Sequence, residues 1–278
     1  MSHRVILGIE SSCDETAAAI VRDGRTVLAS VVHSQIDEHA AWGGVVPEIA
    51  GRSHLEAIRP VLSEVFAAAN LTHHDIDAIA VTARPGLLGS LLVGVTAAKS
   101  LSWAWNKPLV DVHHIEAHAY AALMSLDEWV FPYITLIVSG GHTSLYRTDS
   151  PLEHTLLGAT RDDAAGEALD KGAAMLELSY PGGPSIEKAG ALGDPKAYAF
   201  KLPMLDRDSL EFSFSGLKTA LLYKLKGPGG KRTDPTLPES QDLSGMAASF
   251  EYAVAETLSR KCARACAQTG IPRVLVGG

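Results

Sequence analysis

The pattern that most limits how this chain can fold occurs in it twice. Residues 5–9 (VILGI) form an apolar run, ESSCDE (10–15) a short polar turn and TAAAIV (16–21) a second run. Asp23-Gly24 then turns the chain into TVLASVV (26–32). Asp-Gly between apolar runs is a hairpin signal. Near Tyr133 the order starts again: YITLIV (133–138), the small-residue turn SGGHT (139–143), SLYRT (144–148), then EHTLLGA (153–159). A unit repeated after about 130 residues predicts a duplicated α/β fold with two similar lobes. The sequence divides into 1–128 and 129–278 on this reading. Two such turns facing one another form a nucleotide clamp, because each offers backbone N–H groups to phosphate.

Between the repeats the period changes. Leu55, Ile58, Leu62, Val65, Phe66 and Ala69 recur at helical spacing, with Pro60 expected to kink or divide that helix. IDAIAV (76–81) and PLVDV (108–112) read as strands flanking a helix that begins near GLLGSLLVG (86–94). In the second half, helices are expected over 164–178, 216–226 and 244–268, with a Gly/Pro-rich loop at 227–239 and a last strand in PRVLVGG. Strand followed by Gly-Gly is an abrupt place to stop, so the chain reads as ending short.

Bulk properties exclude several classes. The formal net charge of −8 argues against a bulk nucleic-acid binder, which needs clustered cations. A local basic run, Lys218, Lys224, Lys226, Lys231 and Arg232, stands either as a solvated loop or as a patch. Three cysteines, Cys13, Cys262 and Cys266, lack CxxC spacing and argue for a reducing compartment, with the last two as small buried apolar groups. The N-terminal apolar run is too short for a secretory signal, and glycines and Lys99 interrupt the longest weakly polar stretch. A soluble, cytoplasmic protein is expected.

Three stretches carry chemistry. The SGG turn can approach phosphate, and the matching ESSCDE turn brings Asp14 and Glu15 to the same kind of position. Asp163, Glu167 and Asp170, at i, i+4 and i+7, are expected on one helix face, followed by SYPGGP, whose glycines permit close approach to a ligand. Asp162 and Asp163 also suit the start of a helix. In VHHIEAHAYAA (112–122), His114 and His118 share a face if the segment is helical, and can both reach one metal ion. Glu116 between them gives neither the HExxH nor the HxxEH order of zinc proteases. Two ligands do not complete a catalytic site, so a third, a carboxylate from elsewhere, is expected.

Eight motifs in order, GIESSCDET (8–16), GGVVPEIAGRSH (43–54), RPGLLGSLLVG (84–94), HHIEAH (113–118), VSGGHT (138–143), RDDAAGEALDK (161–171), YPGGP (180–184) and FSFSGLKTA (212–220), resemble the tRNA threonylcarbamoyladenosine transferase family, TsaD-like, formerly described as O-sialoglycoprotein endopeptidases. The resemblance runs from the first strand to Gly278. It implies an actin-like fold (the ASKHA group of sugar kinases and Hsp70-type ATPases) with a nucleotide cleft between two lobes. It also implies an activity: transfer of a threonylcarbamoyl group from threonylcarbamoyl-AMP to N6 of adenosine 37 in tRNAs reading codons that begin with A.

By motif, His114 and His118 look like metal ligands, for one divalent ion per chain, iron in preference to zinc. Ile137, Val138, Ser139, Gly140 and Gly141 look like the turn that holds the adenylate or its carbonyl. Asp170 and Gly183 look like nucleotide contacts, and Glu15 is similar to a family carboxylate facing the same cleft, the candidate catalytic group. ATP or ADP can occupy that cleft. The partners implied are tRNA, a paralogous actin-like protein, a small ATPase and, upstream, the threonylcarbamoyl-AMP synthase; no membrane is involved. The family pattern continues past the Gly-Gly strand with an asparagine that contacts the nucleotide and an aspartate that completes the metal site. The basic run at 218–232 and the helix bearing Arg52 and Arg59 are candidate tRNA surfaces. Alternatives from other classes are a non-catalytic nucleotide-binding scaffold of the same complex, a metalloprotease and a sugar kinase.

Overall fold

The computed structural model describes residues 3–205, 208–226 and 240–278, the side chains of 226 and 240–242 excepted. It divides into two compact units, 1–117 and 118–278. The sequence pattern alone puts the division at 128/129. Among the described residues no helix is long and apolar enough to cross a membrane.

The first unit is built on a five-stranded sheet. Its strands are β1 (Val5–Glu10), β2 (Glu15–Arg22), β3 (Thr26–Ser34), β4 (Ala78–Arg84) and β5 (Leu109–His113), in the order β3-β2-β1-β4-β5. β1 is antiparallel to β2 and parallel to β4, and β4 is parallel to β5. Side chains alternate along β1, so Leu7 and Ile9 are buried while their neighbours are only partly so. A short helix α1 (Ile36–Ala40) follows β3, and α2 (Pro47–Ala69) and α3 (Leu88–Trp105) flank β4 in sequence. Val61 and Val65 of α2 and Ala98 of α3 pack with Leu7, Ile9, Ile20, Ile79 and Val81 of the sheet.

The helical spacing read for α2 holds, and one expectation for it is overturned. Pro60 does not divide it: the helix is unbroken over 23 residues. Its buried face runs through Ala50, Ser53, His54, Ala57, Val61 and Val65, whereas Leu55 is 66% exposed. Ile58, Leu62, Phe66 and Ala69 are partly buried and pack against the same core.

The second unit repeats the topology. After α4 (His114–Met124) come β6 (Tyr133–Val138), β7 (Thr143–Ser150) and β8 (Glu153–Ala159) as an antiparallel meander; β9 (Val274–Gly277) lies parallel to β6, in the order β8-β7-β6-β9. This is the β3-β2-β1-β4 order again, the duplicated α/β fold that the repeat predicts. β6 is buried at five consecutive positions, as a central strand covered on both faces is. The covering helices are α5 (Ala165–Met175), α6 (Gly182–Gly190), α7 (Ser215–Lys226) and α8 (Ser240–Thr269). Phe212, Phe214, Leu217 and Phe250 fill the core beneath them.

Asp162 does not serve α5, the nearest helix in sequence. Its carboxylate accepts from the N–H groups of Phe214 (2.8 Å) and Ser215 (3.2 Å) and from the Ser213 and Ser215 hydroxyls (2.6 and 2.8 Å). It therefore caps the start of α7. The loop expected at 227–239 lies outside the described residues.

Candidate active site

In a parallel sheet, ligands collect at the carboxyl ends of the strands. In the first unit β1, β4 and β5 are adjacent and parallel, and their ends carry Glu10, Thr82 and the entry to α4 at His114. These side chains meet. One Glu10 carboxylate oxygen, Oε2, accepts from Thr82 Oγ1 at 2.7 Å and stands 3.1 Å from His114 Nδ1. Its other oxygen accepts from the backbone N–H of Ser12, and Ser12 Oγ is 3.2 Å from the same His114 nitrogen. Burial alone would raise the Glu10 pKa, but the hydrogen bonds from His114, Ser12 and Thr82 bring it down to about 2.

The rest of the ESSCDE turn is held from behind. Ser11 Oγ donates to the Ser90 carbonyl at 2.8 Å, and Leu87 N–H donates to the Ser12 carbonyl at 2.8 Å. His54 of α2 is fully buried, with Nε2 3.0 Å from the Cys13 carbonyl and Nδ1 2.7 Å from Thr16 Oγ1. Glu15 opens β2 and is exposed. Burial, then the nearby Asp14 and Glu10 carboxylates, push its pKa above the usual carboxylate value.

His114 and His118 both lie on α4, one turn apart, as the sequence predicts for a helical segment. Among the described residues no group of three or more His, Cys, Asp or Glu side chains gathers to hold a metal. The chemistry of the pair still suits one: a carboxylate on one ring nitrogen is the usual outer partner of a metal-bound imidazole. His114 therefore fits as one ligand of a larger set, with His118 one turn along the same helix.

In the second unit the SGG turn closes the β6–β7 hairpin. Ser139 N–H donates to the His142 carbonyl at 2.8 Å, and Thr143 Oγ1 accepts from Ala165 N–H, the first residue of α5, at 2.8 Å. The turn is thus tied to a helix N-terminus. Ile137 is fully buried, Val138 and Ser139 are half-buried, and Gly140 and Gly141 are exposed. Side chains would have open space at both glycines.

Of the three carboxylates expected on one face, two stay together and the third is engaged elsewhere. Asp163 precedes α5, and it and Glu167 both hold Lys171, at 2.8 and 2.7 Å. Lys218 lies 3.3 Å from Asp163. Asp170 instead accepts from Gly182 N–H at 2.7 Å, where α6 begins. The YPGGP glycines are also used differently from expectation at Gly182, whose close approach is to the α5 backbone; Gly183 in the first turn of α6 has room. Of the basic run, Lys218 is engaged by Asp163 and Lys224 lies 5.3 Å over the Phe200 ring. The Lys226 side chain, Lys231 and Arg232 fall outside the described residues.

Glu10 is the site residue that sequence reasoning missed. Its signal was weak: a glutamate at the end of an apolar strand reads as the first residue of a turn, and its partners lie 72 and 104 positions away.

A family model described as tRNA N6-adenosine threonylcarbamoyltransferase (TsaD) matches residues 26–278. The chain belongs to that family. The tRNA N6-adenosine threonylcarbamoyltransferase of Trichlorobacter lovleyi is 52% identical over 274 residues, covering 99% of this chain and 78% of its own length. The protein of that name from Geobacter sulfurreducens gives the same identity and the same coverage. Among solved structures, the activator of the 2-hydroxyisocaproyl-CoA dehydratase from Clostridium difficile with bound ADPNP aligns with a TM-score of 0.48 at 14% identity. That alignment covers 99% of this chain and 79% of the other.

Proposed function

We propose that this chain transfers the threonylcarbamoyl group of threonylcarbamoyl-AMP to N6 of adenosine 37 in tRNAs reading codons that begin with A. The observation that carries the reading is family membership across 99% of the chain. The site chemistry agrees with it. An adenine amine is a poor nucleophile, so the carbamoyl carbon must be made more electrophilic. A divalent ion, iron in preference to zinc, held by His114, His118 and further ligands, would act as a Lewis acid on the carbonyl oxygen.

The chain's own residues do the rest. N–H groups of the turn spanning Ile137, Val138, Ser139, Gly140 and Gly141 share the charge that develops on the oxygen. Asp170 and Gly183 contact the nucleotide part of the adenylate. Glu15, more basic than an ordinary carboxylate, takes the proton that N6 loses as the C–N bond forms and AMP departs. No protein nucleophile is required. ATP or ADP competes with the adenylate for the same nucleotide site. The protein works in the cytoplasm with a paralogous actin-like partner and a small ATPase, downstream of the synthase that makes the adenylate. Its tRNA surface includes the exposed Arg52 and Arg59 of α2.

The test is incorporation of labelled threonine into unmodified tRNA by the chain, its partners and the adenylate-forming enzyme, with and without chelator. Chelator-sensitive label at adenosine 37 is the expected result. Nucleotide binding without transfer, by this chain and by longer relatives alike, would overturn it in favour of a non-catalytic scaffold.

A further inference from the structure

Glu10, Thr82 and His114 stand at the carboxyl ends of three neighbouring parallel strands, and Thr82 is on the middle one. Adjacent strands are about 4.8 Å apart, so a side chain at the end of β1 must cross about 10 Å to serve the end of β5. The glutamate chain and the His114 ring reach toward each other to close that gap above Thr82, whose hydroxyl donates to Oε2 at 2.7 Å. The same oxygen meets His114 Nδ1 at 3.1 Å. Both side chains are largely withdrawn from solvent, at 29% and 19% exposure, so the pair is not a loose surface contact.

We propose that Glu10 is the positioning residue for His114. A carboxylate accepts and does not donate, so the proton of the neutral imidazole resides on Nδ1, and the lone pair is placed on Nε2. That tautomer and a fixed ring plane are what a divalent metal needs from a histidine ligand. Ser12 completes the frame: its N–H holds the second Glu10 oxygen, and its hydroxyl lies against the same imidazole edge. The inference rests on the reading of His114 as a metal ligand and adds a residue which that reading does not contain.

Two measurements test it. Long-range proton–nitrogen NMR of the metal-free protein assigns the His114 tautomer, with His114→Gln identifying the signals. The Nδ1–H form is expected in the wild type, with loss of that preference in Glu10→Ala. An Nε2–H tautomer in the wild type overturns the proposal without reference to metal. Titration with Co²⁺, read from its visible bands and from competition by Zn²⁺, is the second measurement. Glu10→Ala is expected to bind about 10–100-fold more weakly. Glu10→Gln, which keeps the shape and one acceptor oxygen, is expected to lose less and guards against failure of the alanine variant to fold. Unchanged affinity in the folded Glu10 variants, with loss in His114→Ala, overturns the positioning role and leaves the metal reading intact. Unchanged affinity in His114→Ala overturns both.

Discussion

The Asp170 carboxylate and the Gly182 amide are joined by a 2.7 Å hydrogen bond that pins the start of α6 to the middle of α5. Nothing larger than glycine fits at 182, since a Cβ there would lie 2.6 Å from the Leu169 carbonyl oxygen. Asp170→Ala should therefore lower stability by about 1–2 kcal/mol, as loss of a helix cap does. Asp170→Asn, which retains an acceptor, should lose less. If the same carboxylate also touches nucleotide, Asp170→Asn will weaken ADP binding while its denaturation midpoint stays near wild type. Measuring both quantities in both variants separates the capping role from the binding role.

His54 does comparable work for the other turn. Its ring bridges the Cys13 carbonyl and the Thr16 hydroxyl inside a fully buried site. His54→Ala leaves both groups unpaired and should cost about 2–4 kcal/mol. A pH effect follows as well. Burial lowers the His54 pKa, against the upward pull of the Cys13 carbonyl and the Glu10, Asp14 and Glu38 carboxylates. The unfolded chain binds this proton near pH 6.5, about the model-peptide value, while the folded chain resists it. The His54 contribution is thus complete above pH ~6.5 and shrinks on acidification below it. Denaturation midpoints at pH 7.5 and 5.5 should show a smaller drop in His54→Gln than in wild type; equal drops would assign the pH effect to other groups.

The limits of reading the sequence follow from where each interaction lies along the chain. Both hairpins were legible because VILGI, TAAAIV, YITLIV and SLYRT state their period within a few residues of a turn. The helix bearing His114 and His118 was left open by the sequence, which carries only the four-residue spacing of the pair. The buried face of α2 was legible in part: Val65 lies on it and Ile58, Leu62, Phe66 and Ala69 pack against the same core, but Ala50, Ser53 and Ala57 carry too little hydropathy to mark the rest. Asp163, Glu167 and Asp170 have helical spacing, yet α5 begins only at Ala165, and Lys171 joins Asp163 to Glu167 while Gly182 draws Asp170 away. Glu10 could not be found locally, since its hydrogen bonds to Thr82 and His114 join ends of strands that only folding brings side by side.

Cys13 sits in the middle of the candidate site and is exposed at the surface. Partial burial of its thiol, then the Asp14 carboxylate and the more distant Glu10 and Glu15, push its pKa up to about 12. Little thiolate exists at neutral pH, and only a thiolate attacks an acyl carbon well. Alkylation of Cys13 by iodoacetamide at pH 8, followed by peptide mass spectrometry, should run roughly tens-fold slower than for an unperturbed cysteine, once the gain in intrinsic nucleophilicity is counted. Cys13→Ser should keep the full rate of threonylcarbamoyl transfer. A large loss of rate in that variant would bring back the covalent route that the proposed direct transfer omits.

Gly277 gives a prediction that joins fold to chemistry within the second unit. β9 runs parallel to β6, with Gly277 opposite Ile137, and passes under α4 at the turn that carries His118. A Cβ at 277 would stand 2.8 Å from the His118 carbonyl oxygen and 3.4 Å from Ala122 Cβ, so the helix backbone itself would have to give way. Gly277→Ala should cost about 1–3 kcal/mol through overpacking. If His118 is a metal ligand, the variant should also bind Co²⁺ more weakly, because the residue displaced is the one that carries the imidazole. Gly141→Ala is the matching control, as its Cβ would meet nothing within 4 Å. Its stability and Co²⁺ affinity should stay at wild-type values, while its kcat/KM for transfer falls if substrate approaches the turn backbone. Equal Co²⁺ affinity in a folded Gly277→Ala protein would argue against a place for His118 among the ligands.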